Sequence, residues 1–192
     1  MGSGSGMKFI KRHFLIKQLL LPRMPLSEPW KQWLVDPRSL SKQLSGYCGG
    51  SFNVQLLSQQ TIRPTDYERQ WLRLKDRQSV MVREVCLRCG NNPIVFARTV
   101  VGYSQLQGRL RRLAFLRRQP LGTSCLARGL RRDQLELFRL QSTQVLFQQA
   151  MQVLPQSSSK MLWGRHSLFS LGHKSLLVTE VFSPTLLDEI GR

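Results

Sequence analysis

Residues 79–89, Ser79-Val-Met-Val-Arg-Glu-Val-Cys-Leu-Arg-Cys89, decide the fold of this chain. Their β-branched and apolar residues alternate, which predicts a β-strand in which side chains two positions apart share a face. Arg83 is the one charged residue on the row that it shares with Met81, Val85 and Leu87. A buried guanidinium keeps its charge and needs an anionic partner. From this strand alone, that partner is either a structural carboxylate or a ligand.

The length and composition predict a globular protein with an internal pocket. The chain has 192 residues, of which 41% are hydrophobic, and a chain of this size buries roughly 70% of the surface that its unfolded form exposes. Residues 1–6, Met-Gly-Ser-Gly-Ser-Gly, resemble an artificial linker. We therefore expect residues 7–29 to form a basic N-terminal segment and residues 30–192 to form one domain.

The charge of the chain is strongly unbalanced, with 29 Lys and Arg against 11 Asp and Glu and a formal net charge of +18. Such a charge attracts polyanions and small anions alike, so it bears on partners and not on the fold. Arginines cluster in residues 109–118 and 128–139, with few aromatic residues among them and without a nucleic-acid-binding motif. We interpret these clusters as a solvated basic face and expect no specific nucleic acid partner.

Residues 7–21 combine basic residues with large apolar ones. Lys17 interrupts the apolar run and no small-residue cleavage site follows, so the pattern supports neither a signal peptide nor a membrane span. A segment of this kind either makes a weak contact with an anionic membrane surface or packs on the domain as a helix. Both alternatives remain open, and the expected location of the protein is the cytoplasm.

The four cysteines are Cys48, Cys86, Cys89 and Cys125. Their isolation in a chain of this length does not indicate a secreted disulfide framework. Cys86 and Cys89 have the spacing of half a zinc site, but no second pair follows and a strand would point the two side chains to opposite faces. We therefore predict structural thiols in a reducing compartment and no metal site, with zinc as the alternative.

The order of patterns predicts an α+β fold, with one antiparallel sheet of about six strands and intervening helices. Helical patterns cover residues 30–44, broken at Asp36-Pro37, and residues 106–118, whereas residues 61–76 are polar and predict a connection. Alternating patterns predict strands at residues 52–59, 79–89, 94–101, 134–141, 165–171 and 175–182, with hairpin turns at 90–93 and 172–174.

Acidic residues are scarce along these strands, which makes Glu180 conspicuous. Between Val85 and Thr179 the acidic residues are Asp133 and Glu136 alone. Glu180 shares its row with apolar neighbours, as Arg83 does on its own strand. Two such charges pointing into one interior form either a structural ion pair or the two poles of a pocket for a small anion. Periodicity does not choose between these alternatives.

Five short blocks occur in the order and approximate spacing of one enzyme family, over roughly residues 30–184. The blocks are Val82-Arg83-Glu84-Val85, Phe96-Ala97-Arg98-Thr99-Val100-Val101, Pro120-Leu121-Gly122, Leu162-Trp163-Gly164-Arg165 and Leu177-Val178-Thr179-Glu180-Val181-Phe182. In these blocks the chain resembles the chorismate lyase (chorismate pyruvate-lyase) family. The resemblance implies an enzyme that converts chorismate to 4-hydroxybenzoate and pyruvate for ubiquinone synthesis. It also implies that the enzyme needs no metal or organic cofactor and that helical flaps enclose its internal ligand site. Apart from the resemblance, we expect a monomer.

The resemblance also assigns roles to residues of this chain. Arg83 matches the arginine that grips the ring carboxylate, and Glu180 matches the carboxylate at the 4-hydroxyl, where it either orients the substrate or takes part in proton transfer. Leu121 matches a turn residue whose backbone contacts the ligand, and Leu40 matches an apolar flap residue. Apart from the resemblance, Arg98 and Arg165 are candidates either for the enolpyruvyl carboxylate or for ion pairs at the surface of the sheet. We interpret Trp163 as a packing residue and His166 as a rim residue.

Two other classes of function remain as alternatives. The same fold serves as the effector-binding module of certain transcription regulators, which bind a small ligand without turnover. About two dozen residues precede the matched region, too few for the winged helix-turn-helix of those regulators. A basic nucleic-acid-binding protein is the other alternative, and tight sequence-dependent binding at physiological salt would support it.

Overall fold

A computed structural model describes residues 15–16, 28–36, 38–124, 128–155 and 161–190. The strands are β1 (Leu15–Ile16), β2 (Phe52–Ile62), β3 (Val80–Cys89), β4 (Asn92–Gly102), β5 (Arg131–Gln141), β6 (Met161–Leu171) and β7 (Lys174–Phe182). The helices are α1 (Glu28–Val35), α2 (Leu40–Tyr47), α3 (Asp66–Trp71), α4 (Val145–Met151) and α5 (Pro184–Ile190).

The strands form one sheet in the order β1-β5-β6-β7-β4-β3-β2. All neighbours from β5 to β2 are antiparallel, which confirms the predicted α+β fold with six antiparallel strands. The two residues of β1 pair in parallel with β5 at the edge. The first predicted hairpin turn is shorter than expected, since Asn92 and Pro93 already belong to β4 and Gly90 takes a positive φ of 56°.

Alternation divides the sheet into two faces that different elements cover. One face carries Val80 and Val82, which pack with Leu72 at the end of α3, while α4 packs farther along it through Phe147 and Ala150. The opposite face carries the row of Arg83 and is covered by α1, α2 and the segment between β4 and β5. This second face holds the cavity described below.

Two predicted segments differ from the structure, and the helices α4 and α5 are additional to the predicted helices. Residues 61–76 contain the helix α3, which a capping box between Thr65 and Glu68 begins. The helix α5 follows β7 and was absent from the predictions. Residues 108–115 form a 3₁₀ helix, not an α-helix, because the leucines that must be buried recur every third residue. These leucines are Leu110, Leu113 and Leu116.

The predicted linker, residues 1–6, and most of the basic segment, residues 7–29, lie outside the described residues. Within that segment the structure describes Leu15–Ile16 and the start of α1 at Glu28. Among the described helices, none combines the length and the apolar composition that crossing a membrane requires.

The prediction of unpaired structural thiols is wrong for two of the cysteines. Cys48 and Cys89 form a disulfide bond with their Cα atoms 5.2 Å apart. Cys48 caps the C-terminus of α2 and Cys89 ends β3, so the bond ties the helix over the cavity to the sheet. The sequence did not reveal this pair because the fold brings together residues 41 positions apart. Cys86 is buried as a free thiol.

We expect reduction of the Cys48–Cys89 bond to lower the thermal unfolding midpoint. Closing a loop of this length in the unfolded chain corresponds to a stabilisation of about 2–4 kcal/mol. Calorimetry with and without reductant measures the effect, and the double variant Cys48→Ser/Cys89→Ser serves as control because reductant should leave its midpoint unchanged. An equal number of titratable thiols before and after reduction of the denatured wild-type protein would contradict the bond.

Candidate active site

A cavity of about 660 Å³ lies between the second face of the sheet and its cover. Arg83 and Glu180 line it from β3 and β7, Leu40 lines it from α2, and Leu121 lines it from the 3₁₀ turn of residues 121–123. The structure thus brings all four sequence-predicted site residues to one cavity. Their roles toward a ligand stay a prediction.

The register of the strands fixes the spacing of the two strand charges. β4 runs between β3 and β7, with Arg83 opposite Thr99 and Glu180 opposite Ala97. Thr99 and Ala97 are neighbours on the same face of β4, so the two charges lie on adjacent rows with one strand between them. The small side chain of Ala97 leaves open space above the sheet at this point.

Arg83 is a buried cation that protein carbonyls position. Its exposed fraction is 2%, and Nη2 donates to the carbonyl oxygens of Arg117 at 2.9 Å and Gln119 at 3.0 Å. Burial lowers its pKa to about 10. Within the described part of the chain Arg83 has no carboxylate partner and Nε has no hydrogen-bond acceptor. The site is therefore suited to an anion supplied from outside.

Unlike Arg83, Glu180 has an oppositely charged partner within the protein, which is Arg165. Nε of Arg165 donates to Oε2 of Glu180 at 2.5 Å, and Arg165 is fully buried. Nη1 of Arg165 also donates to the carbonyl oxygens of Trp33 and Leu34 at the end of α1. A cation is favourable at this end of a helix. Arg165 therefore anchors both the carboxylate and the helix.

The structure does not bring Arg98 or Arg165 to the cavity wall. Arg98 lies on the first face of the sheet, where Nε donates to Glu68 at 2.8 Å and Nη1 donates to Glu84 at 2.6 Å. Arg165 lies opposite Glu180 on the neighbouring strand β6 and is not among the residues that line the cavity. Of the two alternatives stated for these arginines, the structure shows the ion pairs, although they are buried and not at the surface.

Arg132, which no sequence pattern marks as a site residue, lines the cavity and has an exposed fraction of 8%. A β-bulge at Asp133 shifts the register between β5 and β6. Because of this extra residue, Arg132 shares a face with Leu135, three positions away, which strict alternation would place on the other face. Nη1 of Arg132 donates to the carbonyl oxygen of Asp36 at 3.0 Å, and its guanidinium lies 5.0 Å from the centre of the Phe169 ring.

The flap over the cavity consists of the start of α2 and the turn of residues 121–123. Leu40 is buried at 4% exposure. The carbonyl oxygen of Leu121 accepts from the amide and the hydroxyl of Ser124. A Cβ atom added to Gly122 would lie 2.0 Å from Oγ of Ser39. Glycine at this position therefore permits the close approach of the two parts of the flap.

The two remaining predictions concern β6. Trp163 is half-buried against the core cluster that includes α1, which confirms it as a packing residue. The prediction of His166 as a rim residue is wrong, because its side chain points to the first face, where its ring stacks on Phe138 with centroids 4.0 Å apart. Nδ1 of His166 lies 2.8 Å from Oγ1 of Thr179, and burial lowers the His166 pKa to about 3.

The described side chains include no cluster of three or more His, Cys, Asp or Glu residues that would hold a metal ion. The groups that converge on the cavity are guanidinium, carboxylate and backbone amide. Such groups can bind a small organic anion and orient a hydroxyl group.

The sequence comparisons all point to the same family. The family described as Chorismate lyase matches residues 23–191. A probable chorismate pyruvate-lyase from Nitrosospira multiformis is 35% identical over 81% of this chain and 87% of that protein. A probable chorismate pyruvate-lyase from Pseudomonas aeruginosa is 37% identical over 83% of this chain and 85% of that protein.

Solved structures with a similar fold share little sequence identity with this chain. The effector domain of PhnF from Mycobacterium smegmatis matches with a TM-score of 0.58 and 13% identity, over 79% of this chain and 91% of that domain. The effector-binding domain of the trehalose repressor from Bacillus subtilis matches with a TM-score of 0.51 and 7% identity, over 68% of this chain and 89% of that domain. At these identities the likeness concerns the fold alone.

We expect Gly122→Ala to lower the free energy of unfolding by about 1–3 kcal/mol, because the added methyl group overpacks the flap against Ser39. A second substitution, Ser39→Gly, should restore most of this loss, since Ser39 makes no capping hydrogen bond to α2. Denaturant unfolding of the single and double variants measures the coupling.

Gly46→Ala is the matched control for that cycle, because nothing lies within 4 Å of a Cβ atom at this position of α2. It should leave stability unchanged or raise it by up to about 1 kcal/mol. Equal stability of Gly122→Ala and the wild-type protein would show that the flap tolerates the methyl group.

Proposed function

Because the chain belongs to the chorismate lyase family, we propose that it is a chorismate pyruvate-lyase that forms 4-hydroxybenzoate and pyruvate for ubiquinone synthesis in the cytoplasm. The observation that carries this proposal is the cavity itself. It places a buried cation without a described carboxylate partner, Arg83, one strand away from an anchored carboxylate, Glu180. These two groups match the two ends of 4-hydroxybenzoate.

The reaction needs orientation more than strong acid or base chemistry. Cleavage of the bond between ring C3 and the ether oxygen sends the electron pair out with the enolpyruvate, and ring C4 loses its hydrogen as a proton. A proton added to the enol methylene group completes pyruvate, while the ring becomes aromatic. Aromatisation supplies driving force, so the protein mainly holds the substrate and stabilises the charge that develops on the leaving group.

Arg83 holds the ring carboxylate in this proposal. Its Nη2 group is fixed by the two carbonyls that precede the flap turn, so the remaining N–H groups present a fixed edge to a carboxylate. The same chain segment leads to Leu121, whose backbone N–H is proposed to contact the ligand. Arg83 and the flap turn are therefore positioned together.

Glu180 accepts a hydrogen bond from the C4 hydroxyl in this proposal. The ion pair with Arg165 engages Oε2, so Oε1 is the oxygen proposed for the ligand. Orientation of the hydroxyl and participation in proton transfer both require this placement. Leu40 closes the cavity from α2 and excludes water from the reacting atoms.

Several finer expectations stay predictions of the proposed function. These are a single domain over residues 30–192, a monomer, catalysis without a cofactor, and the absence of a specific nucleic acid partner. Weak contact of residues 7–21 with an anionic membrane also stays a prediction. The proposal requires none of them except catalysis without a cofactor.

Purified protein incubated with chorismate and no added metal should release 4-hydroxybenzoate and pyruvate in equal amounts. Chromatography measures the first product and a coupled lactate dehydrogenase assay measures the second. Absence of both products from folded protein would refute the proposed activity. Tight binding of 4-hydroxybenzoate without turnover would instead favour a ligand-binding module of the same fold.

We expect Arg83→Met to weaken binding of 4-hydroxybenzoate by about 10- to 100-fold, because a charge-assisted pair is lost. The free energy of unfolding should stay within about 1 kcal/mol of the wild-type value, since a buried cation without a described anionic partner contributes little to stability. Titration calorimetry and denaturant unfolding measure the two quantities. Arg111→Met, an exposed arginine in the 3₁₀ helix, is the control, and wild-type affinity in Arg83→Met would remove the role of Arg83.

A further inference from the structure

Chorismate carries two carboxylates, and the proposed function uses Arg83 for one of them. The second belongs to the enolpyruvyl group at C3, next to the C4 hydroxyl on the ring. If Glu180 holds that hydroxyl, the second carboxylate lies near Glu180 and away from the ring carboxylate. A group that recognises it must therefore line the cavity on the Glu180 side.

Among the described residues, four basic side chains line the cavity, and two of them are unsuitable for this task. The Arg38 side chain is 76% exposed and forms an ion pair with Asp36. Lys42 is exposed on α2. Solvent screens exposed charges and weakens their contacts with a ligand. The two buried cations are Arg83 and Arg132, with exposed fractions of 2% and 8%.

Arg132 lies on the Glu180 side of the cavity. Its Nη1 atom donates to the carbonyl oxygen of Asp36 at 3.0 Å, and Nη1 of Arg165 contacts the same oxygen at 3.4 Å. Arg165 is the residue whose Nε atom binds Glu180. One carbonyl oxygen therefore joins the two guanidinium groups, and Arg132 is the neighbour of the Arg165–Glu180 pair.

The side chain of Arg132 is already held in position. The carbonyl oxygen of Asp36 fixes Nη1, and the ring of Phe169 lies beneath the guanidinium carbon at 5.0 Å. A guanidinium has five N–H donors, so it can hold a backbone carbonyl and a carboxylate at the same time. Phe169 lines the cavity as well, which shows that this arrangement borders the ligand space.

We propose that Arg132 is the substrate-binding residue for the enolpyruvyl carboxylate of chorismate, a role that rests on the proposed function. Arg83 binds a carboxylate that substrate and product share. Arg132 binds one that leaves with pyruvate. Arg132 therefore favours binding of the substrate over binding of the product, whereas Arg83 does not distinguish them.

The test compares chorismate with 4-hydroxybenzoate in Arg132→Met. We expect kcat/KM for chorismate to fall at least about 10-fold, which is the loss expected for a charge-assisted contact. The inhibition constant of 4-hydroxybenzoate should stay within about twofold of the wild-type value, because the product lacks this carboxylate. Arg83→Met, in contrast, should weaken both ligands.

Arg131→Met is the matched control, since Arg131 is the exposed neighbour on β5 and pairs with Asp133 at 2.8 Å. In Arg131→Met, kcat/KM for chorismate and the inhibition constant of 4-hydroxybenzoate should both equal the wild-type values. If Arg132→Met does not fold, Arg132→Lys provides the test, because lysine keeps the positive charge but lacks the planar set of N–H donors of the guanidinium group. In that variant kcat/KM for chorismate should still fall while the inhibition constant stays unchanged.

The outcomes separate the two proposals. A wild-type protein without lyase activity would overturn the proposed function and this inference with it. An active wild-type protein would leave the function standing. The inference would then fail if Arg132 substitution changed neither constant, or lowered kcat/KM and the affinity for 4-hydroxybenzoate by the same factor, as a merely structural role predicts.

Discussion

The buried ion pair between Arg165 and Glu180 is the interaction on which the rest of the site depends. Arg165 joins β6 to β7 through Glu180, and its Nη1 atom holds the C-terminal carbonyls of α1. Loss of either charge would leave the other buried without its partner, which costs several kcal/mol. One guanidinium therefore fixes the carboxylate of the cavity and the helix that leads into the flap. The chemistry and the cover of the cavity are positioned by the same residue.

The cavity departs from ordinary core construction because its other buried cations face the ligand space. The carbonyls of Arg117 and Gln119 orient Arg83 but do not neutralise it. A site of this kind loses stability in the empty protein and regains it when an anion binds, since a ligand that prefers the native state stabilises it. The net charge of +18 has the same sign as the site and favours the approach of a dianion.

The sequence predicts those parts of the site that lie on regular strands. Arg83 and Glu180 were placed on the cavity face because β3 and β7 keep a period of two around them. Arg132 precedes the predicted strand of residues 134–141 and belongs to the arginine cluster that the sequence assigns to a solvated basic face. The structure instead buries it, because β5 begins at Arg131 and an extra residue at Asp133 turns Arg132 to the cavity face. The helix α3 had a visible signal in its capping box. Pairings over long separations, such as Arg165 with the end of α1, leave no local pattern in the sequence and emerge only from the assembled fold.

The two buried arginines of the cavity differ in what they can contribute to a lyase. Some contacts are equally strong with the substrate and with the product. Such a contact lowers the energy of every bound state and does not by itself lower the barrier between them. The proposed contact of Arg83 with the ring carboxylate is of this kind. Contacts with atoms that change during the reaction are different, and Glu180 and Arg132 are proposed to lie at those atoms. In this proposal Arg132 loses its ligand anion once pyruvate has left, while Arg83 keeps its own, so Arg132 acts on the substrate and not on the product.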